Sequence, residues 1–206
     1  MSGQPIVYLL DDEPDMLKAL KRLLRAQGFQ VRAFANAREF LSHDRHPGPA
    51  CLVLDVAMPE IDGLQVQEWL RQSGAELPVI FLTGHGDIPT SVRAVKAGAE
   101  DFLTKPVNAE DLLRVVRAAL KVAAERQAES KDLAALQERL GCLTPREREV
   151  LGHVIAGKMN KQIAADLGTG EQNIKVHRGR LMRKMGVRSV VDLVRVAGRL
   201  RITPAD

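Results

Sequence analysis

Five short apolar runs, Ile6 to Leu10, Gln30 to Phe34, Ala50 to Leu54, Pro78 to Leu82 and Asp101 to Leu103, alternate with helix-length stretches through the first half of the chain. They begin between 20 and 28 residues apart, the spacing of repeated strand–helix units. Runs such as CLVL and VIFL are apolar throughout, as strands buried on both faces of a parallel sheet must be. The expected architecture is α/β, a five-stranded doubly wound parallel sheet. Ligands of such sheets sit beyond the carboxyl ends of the strands, so the residues that close each run carry the functional reading.

Those residues are Asp11, Asp12 and Glu13 after the first run, Asp55 after the third, Thr83 after the fourth, and Lys105 with Pro106 after the fifth. Three aspartates at one sheet edge repel one another and call for a cation, and an all-oxygen cluster suits Mg²⁺. Asp55 then has the character of an attacking carboxylate, with Thr83 and Lys105 placed to hold the oxygens of a transferred phosphoryl group. Phosphoryl transfer is mostly positioning and charge stabilisation, so this set is chemically sufficient. A single aspartate after a strand is as readily a helix cap or a turn residue. Five matching positions on one edge argue for the site.

The runs LLDDEP, LDVAMPEIDG, FLTGHGD and AGAEDFLTKP make residues 4 to 122 similar to the receiver domain of bacterial two-component response regulators, a flavodoxin-like fold. The resemblance implies Mg²⁺ (or Mn²⁺) held by Asp12, Asp55 and the carbonyl of Ala57, with Asp11 assisting, and phosphorylation of Asp55 by a sensor histidine kinase. It further implies a switch, in which Thr83 is drawn to the phosphoryl group and Phe102 turns inward. That remodels the face formed by the fifth strand and the helix after the fourth. Phe102 lacks the hydroxyl of the tyrosine often found at its position. A cis bond before Pro106 is also implied.

Charge divides the chain. Residues 1 to 120 carry 13 basic and 16 acidic groups, residues 121 to 140 four of each, and residues 141 to 206 carry 13 and 6. A basic second half points to a phosphate backbone as partner. Between the halves, Val107 to Leu140 contains neither Gly nor Pro and is compatible with one long helix, although its heptad seam is too polar to specify a long coiled coil.

The last third reads as four helices. Thr144, Pro145 and Glu147 form a capping box opening a helix that Gly157 closes; Asn160 caps the next, Glu171 to Met185 forms a third, and Ser189 caps the last. Two helices joined by a tight turn in a basic domain outline a helix-turn-helix reader. On the third helix Ile174, Leu181 and Met185 face the core, leaving Gln172, Lys175, Val176, Gly179 and Arg183 as the stripe for the major groove. Asn173 has the chemistry to read adenine, and Lys161, Arg180 and Lys184 are placed for phosphates. Gly152 to Met159 imitates a phosphate-binding loop, but it puts Met159 where a hydroxyl is needed and lies inside a helical pattern.

LTPREREVL, NKQIAADLG and IKVHRGRLMRKMGVRS are similar to the LuxR-type DNA-binding domain. His177 fits that pattern, as a packed or phosphate-bonding side chain. Gly170 stands in place of the usual serine at the start of the third helix, and Gly179 occupies a groove-facing position where a basic residue is common. Receiver plus LuxR-type domain is the NarL/FixJ class of transcription factors, here resembling its FixJ side. The expected division is a receiver over 1–122, a helical linker over 123–141 and a DNA-binding domain over 142–206. The expected partners are a sensor histidine kinase, double-stranded promoter DNA, a second copy of the chain when phosphorylated, and RNA polymerase.

Other classes fit less well. The apolar run at Ile6 to Leu10 is too short for a membrane span and has no Lys or Arg ahead of it, so the expected location is the cytoplasm and no membrane partner is expected. The two cysteines, 91 positions apart, imply neither zinc nor a disulfide framework. One Trp, one Tyr and five Phe offer few rings for stacking unpaired bases. A phosphohydrolase using the same aspartates would need a second carboxylate as general acid and gives the basic domain no role. A signalling adaptor, whose last third binds protein, is the other alternative. The reading is therefore a phosphoacceptor regulator rather than an enzyme, with at most slow autodephosphorylation.

Overall fold

The computed structural model describes residues 4–84 and 101–205. Five parallel strands, β1 (Ile6–Leu10), β2 (Gln30–Phe34), β3 (Ala50–Asp55), β4 (Val79–Thr83) and β5 (Asp101–Thr104), form one sheet in the order β2-β1-β3-β4-β5. Helices α1 (Pro14–Ala26), α2 (Ala37–Ser42) and α3 (Gly63–Gln72) separate the first four strands, and α4 (Ala109–Gly141) follows the fifth. This is the doubly wound sheet expected from the apolar runs.

The uniform apolarity of the strands has a direct cause. Tyr8, Leu10, Leu52, Leu54 and Phe81 turn to one face, where Phe40 of α2 and Val66 and Leu70 of α3 cover them. Val7, Leu9, Cys51, Val53, Ile80 and Leu82 turn to the other, against Leu20 and Leu24 of α1 and Leu112, Val115, Val116 and Ala119 of α4. With both faces covered, the inner strands β1, β3 and β4 stay out of water along their apolar runs, whereas the end strands β2 and β5 expose Gln30, Arg32, Phe102 and Thr104. Cys51 is fully buried, and burial pushes its thiol pKa up to about 12, so it stays protonated.

Three strands, β3, β4 and β5, run one residue further than their apolar patterns, and two of those added residues belong to the site. Asp55 is the last residue of β3, opposite Leu82 in the register, and Thr83 the last of β4. Both are polar residues held by the ladder itself, which gives the site a rigid floor.

The chain divides into two compact units, residues 1–128 and 129–206, and α4 is a single continuous helix across that boundary. The second unit contains α5 (Pro145–Ile155), α6 (Asn160–Asp166), α7 (Glu171–Met185) and α8 (Val190–Arg199), packed around Leu143, Val150, Leu151, Val154, Ile163, Ile174 and Leu193. The Thr144–Glu147 capping box at α5 and the Ser189 cap at α8 form as the sequence predicts. Asn160 corrects its reading. It is the first helical residue of α6, and extended Met159 precedes it, donating its N–H to Gln162 Oε1 at 2.7 Å. At α7 the capping residue is Gly170, which has no side chain to offer, while Thr169 Oγ1 accepts instead from the Asn173 amide at 3.2 Å. The imitation phosphate loop begins inside α5, as its helical pattern implies. No helix among the described residues is long and apolar enough to cross a membrane.

Candidate functional site

At the carboxyl edge of the sheet, β1 delivers Asp11 and Asp12, β3 delivers Asp55, and the residue after β5 is Lys105. Asp11 and Asp55 are buried, at 1% and 4% exposure. The Lys105 ammonium reaches into them, with Nζ 2.8 Å from Asp55 Oδ2, 3.0 Å from Asp11 Oδ2 and 3.0 Å from Glu13 Oε1. Its backbone is fixed as well, because Lys105 N donates to the Thr83 carbonyl at 2.7 Å. Desolvation works to lower the lysine pKa. The three carboxylates outweigh it and hold the ammonium above its ordinary range, so Lys105 stays charged. Asp11 moves the other way: burial raises its carboxyl pKa, against the Glu13 N–H and Lys105, which favour the anion.

Four carboxylates around one ammonium leave a local excess of negative charge. Oxygens of Asp11, Asp12 and Asp55 lie within 4.8 Å of one another, close enough to share one small cation. All are hard oxygen donors, and two are buried, so the donor set fits Mg²⁺. The amide of Ala57 donates to Asp55 Oδ1 at 3.3 Å, tying the loop after β3 to the central carboxylate.

Two residues of this edge were not assigned a role from sequence. Glu13 stood in the acidic run but outside the ligand set, and it is a third partner of Lys105. Gly63, the first residue of α3, sits so close beneath Asp55 that a Cβ there would lie 2.4 Å from the Asp55 carbonyl oxygen. Only glycine lets the Asp62-capped helix dock against the strand end. The signal for Glu13 was its position after a strand; that for Gly63 is purely steric and needs the fold.

Thr83 is buried beside this edge. Phe102 is 41% exposed, so its ring points to solvent rather than inward. The Lys105–Pro106 bond is cis. The GHGD and AGAE portions of the motifs, and with them the helix expected after β4, fall in residues 85–100, outside the described residues.

In the second unit, α7 presents two faces. Ile174, Leu181 and Met185 are buried, as the helical spacing predicts. Gln172, Asn173, Lys175, Val176, Gly179, Arg180 and Arg183 are exposed, Val176 at 42%, and Lys161 of α6 is exposed too. Lys161, Lys175, Arg180 and Arg183 make no ion pair among the described residues, so their charges face solvent. His177 is half-buried, and its Nδ1 is enclosed without a hydrogen-bond partner among those residues.

Lys184, expected to contact phosphate, has a partner inside the unit. Its Nζ lies 2.7 Å from Oε2 of Glu147, which is 2% exposed, and donates to the Cys142 carbonyl at 3.1 Å. Removing that ammonium to a phosphate would strand a buried carboxylate. The Lys184 hydrogen bond, against the cost of burial and with help from Thr144, holds the Glu147 carboxyl below its ordinary pKa. Arg178 also works internally, bonding Asn160 Oδ1 at 3.0 Å and so tying α7 to α6.

Residues 7–117 match the model of the response regulator receiver domain, and residues 141–197 that of the luxR family of bacterial regulatory proteins. The response regulator protein TodT of Pseudomonas putida is 46% identical over 196 residues, covering 95% of this chain and 86% of that protein. The transcriptional regulatory protein FixJ of Bradyrhizobium diazoefficiens is 38% identical over 204 residues, covering 97% of each. Among solved structures, the response regulator StyR superposes with a TM-score of 0.88 at 42% identity, covering 96% of this chain and all of that one. With a receiver match over the first unit, a luxR match over the second, and relatives spanning both, the chain belongs to the NarL/FixJ family of two-component response regulators.

Proposed function

We propose that Asp55 is the phosphoacceptor of a two-component relay and that its modification by a sensor histidine kinase controls sequence-specific DNA binding by the second unit, and thereby transcription. The observation that carries this reading is the contact between Lys105 Nζ and buried Asp55 Oδ2 at 2.8 Å, beside Asp11 and Asp12. A carboxylate paired to a permanent cation in a cluster with surplus negative charge is poised to exchange that partner for a phosphoryl group and a metal.

In this reading an Asp55 carboxylate oxygen attacks the phosphorus of the donor, forming an acyl phosphate as the donor's P–N bond breaks and the imidazole leaves. Asp11, Asp12, Asp55 and the Ala57 carbonyl would hold Mg²⁺, or Mn²⁺, which when bound would supply the charge neutralisation that lets an anionic donor approach a carboxylate. Lys105 turns from the carboxylate to a phosphoryl oxygen, and the Thr83 hydroxyl donates to another. Phe102 then rotates from its exposed position into the space Thr83 vacates, with cis Pro106 shaping the adjoining loop. The chain turns over no substrate beyond slow loss of its own phosphoryl group.

The DNA surface is Lys161, Gln172, Asn173, Lys175, Val176, His177, Arg180 and Arg183, with Lys184 withdrawn from it. Their exposure and unneutralised charge support base reading by Gln172, Asn173, Lys175, Val176 and Arg183, and phosphate contact by Lys161 and Arg180, with His177 packed against the backbone. The working division is a receiver over 1–122, a helical linker over 123–141 and a DNA-binding domain over 142–206. The modified protein is a homodimer on a two-fold operator in the cytoplasm, acting with RNA polymerase and away from membranes. Acid-labile labelling from a phosphodonor, with Mg²⁺ present, should vanish in Asp55→Asn. Footprints on promoter DNA should strengthen with beryllium fluoride. Labelling that persists would move the nucleophile elsewhere, and footprints indifferent to the mimic would separate the two units functionally.

A further inference from the structure

The strand β2 lies at one end of the sheet, so one side of its backbone has no neighbouring strand among the described residues. Asp11 N donates to the Phe34 carbonyl, which turns the peptide groups of Phe34 toward β1. By the two-residue period of a strand, those of Arg32 and Gln30 turn the same way, and those of Val31 and Ala33 face outward. Beside that edge runs an open groove of about 580 Å³, lined by Lys21 and Arg25 of α1, by Phe29, and by Val31, Arg32 and Ala33.

The groove is cationic in a unit that is not. Residues 1 to 120 carry more acidic than basic groups, yet this groove has three cations and no acidic lining residue. Lys21 and Arg25 stand four apart on one face of α1 and have no ion pair among the described residues. The guanidinium of Arg32 rests against the His43 ring. Val31 and Ala33 pack in the layer that contains α1, and Phe34 packs in the opposite one, so Lys21 and Arg25 flank one face of the edge and Arg32 the other.

We propose that this edge is a docking site for an acidic, extended segment of a partner protein, which adds a strand beside β2 and places acidic side chains toward Lys21 and Arg25 on one face and Arg32 on the other. The outward peptide groups of Val31 and Ala33 select a strand, because a phosphodiester or polyphosphate can meet the cations but cannot continue a hydrogen-bond ladder. The cations select its sign. A second copy of this chain is the wrong occupant, since pairing β2 with itself would bring two Arg32 side chains and two α1 cation pairs together. The competing role for the same residues is defence, since positive charge on a short edge strand also deters unwanted pairing.

The test uses the full chain and a blocked octapeptide that alternates glutamate with valine. Amide hydrogen exchange at Val31 and Ala33 is followed by NMR, and binding by the anisotropy of the labelled peptide. The peptide should slow exchange at both amides by about tenfold or more at saturation, and Lys21→Glu with Arg25→Glu should weaken binding by about tenfold, with steep weakening by salt. Unchanged exchange at millimolar peptide would leave the cations as defence and overturn the proposal. Equal protection by a lysine–valine peptide would overturn the charge selection. Binding of inorganic polyphosphate in place of the peptide, without protection of the two amides, would reduce the groove to a general anion site.

Discussion

Each unit contains a buried ionic cluster, and the two clusters differ in balance. In the first unit Lys105 is, among the described residues, the one cation paired with Asp11, Glu13 and Asp55, with Asp12 beside them, and the cluster opens at the rim of the sheet. In the second, Lys184 meets Glu147 one to one, and its remaining contact is a backbone carbonyl. A surplus of charge invites an additional cation and an exchange of partners, whereas a neutral pair that also satisfies a helix cap has nothing to gain by moving. The first arrangement suits a switch; the second suits a fixed mount for the helix proposed to meet DNA. Buried ion pairs are not stabilising by default, so the comparison concerns what each pair allows.

The sharpest way to break this contrast is Lys105→Met. It strips the one cation that, among the described residues, pairs with this carboxylate cluster, and leaves Asp11 and Asp55 buried without that compensation. The expected cost is about 3 kcal/mol for the first unit in metal-free buffer. Trp69 lies in α3 and is the only tryptophan of the chain, so denaturation followed by its fluorescence reports this unit alone. Added Mg²⁺ should recover more stability in the variant than in the parent, because the metal meets a larger uncompensated charge. An unchanged Trp69 transition, with equal gains from Mg²⁺, would mean that the ammonium does not neutralise the cluster.

Glu147→Gln tests the other side. Glutamine keeps the capping box with Thr144 but removes the charge opposite Lys184. Lys184 is partly open to water and can regain solvent, so the expected loss is about 2 kcal/mol rather than the full cost of a stranded charge. It should shift the helical transition seen by circular dichroism and leave the Trp69 transition in place, with no recovery by Mg²⁺. The pH dependence has a definite sign. The Glu147 pKa is lower in the folded protein than in the unfolded chain, so its contribution is complete above the ordinary glutamate range, about 4.3. It declines as pH falls through the depressed folded value, and the parent should lose this margin over Glu147→Gln in acid. A difference independent of pH would assign the loss to packing.

How much of each cluster could be read in advance follows from the same contrast. Asp11, Asp12, Asp55, Thr83 and Lys105 announce themselves because each closes a strand, and parallel strands bring their ends together whatever the details of packing. Lys184 does not announce its partner. On the helix wheel it looks like the other basic residues of α7, and only the fold, by setting a carboxylate 37 positions earlier against it, gives it an internal partner. Asn160 was misread for a related reason: the backbone of Met159 is satisfied by Gln162, so α6 starts one residue ahead of a capping choice made on side-chain preference alone. Lys175 tests the sorting directly. It is exposed on α7 without an ion pair among the described residues, so Lys175→Ala should weaken DNA binding by about tenfold and leave both unfolding transitions where they are. If Lys175→Ala is silent and Lys184→Ala weakens DNA binding without loss of stability, the division of α7 into mount and reader is reversed.

The smallest effect is expected at Gly170. This capping residue has φ −80° and ψ 147°, a conformation serine adopts without strain, and a Cβ there meets nothing within 4 Å. A serine hydroxyl at that position can accept from the Gln172 or Asn173 N–H, which the glycine cannot do. The gain over glycine is nonetheless only about 0.3 kcal/mol, since glycine is itself a tolerated cap. Gly170→Ser should therefore raise the second unit's melting temperature by about a degree or two and leave Trp69 unmoved. The modest size is informative. Helix α7 is held by Ile174, Leu181 and Met185 in the core, by Arg178 on Asn160 and by Lys184 on Glu147. If serine instead adds more than about 1 kcal/mol, at the upper range for a cap, the start of α7 is looser than its packing implies and the neutral pair at the far end is not what fixes the helix.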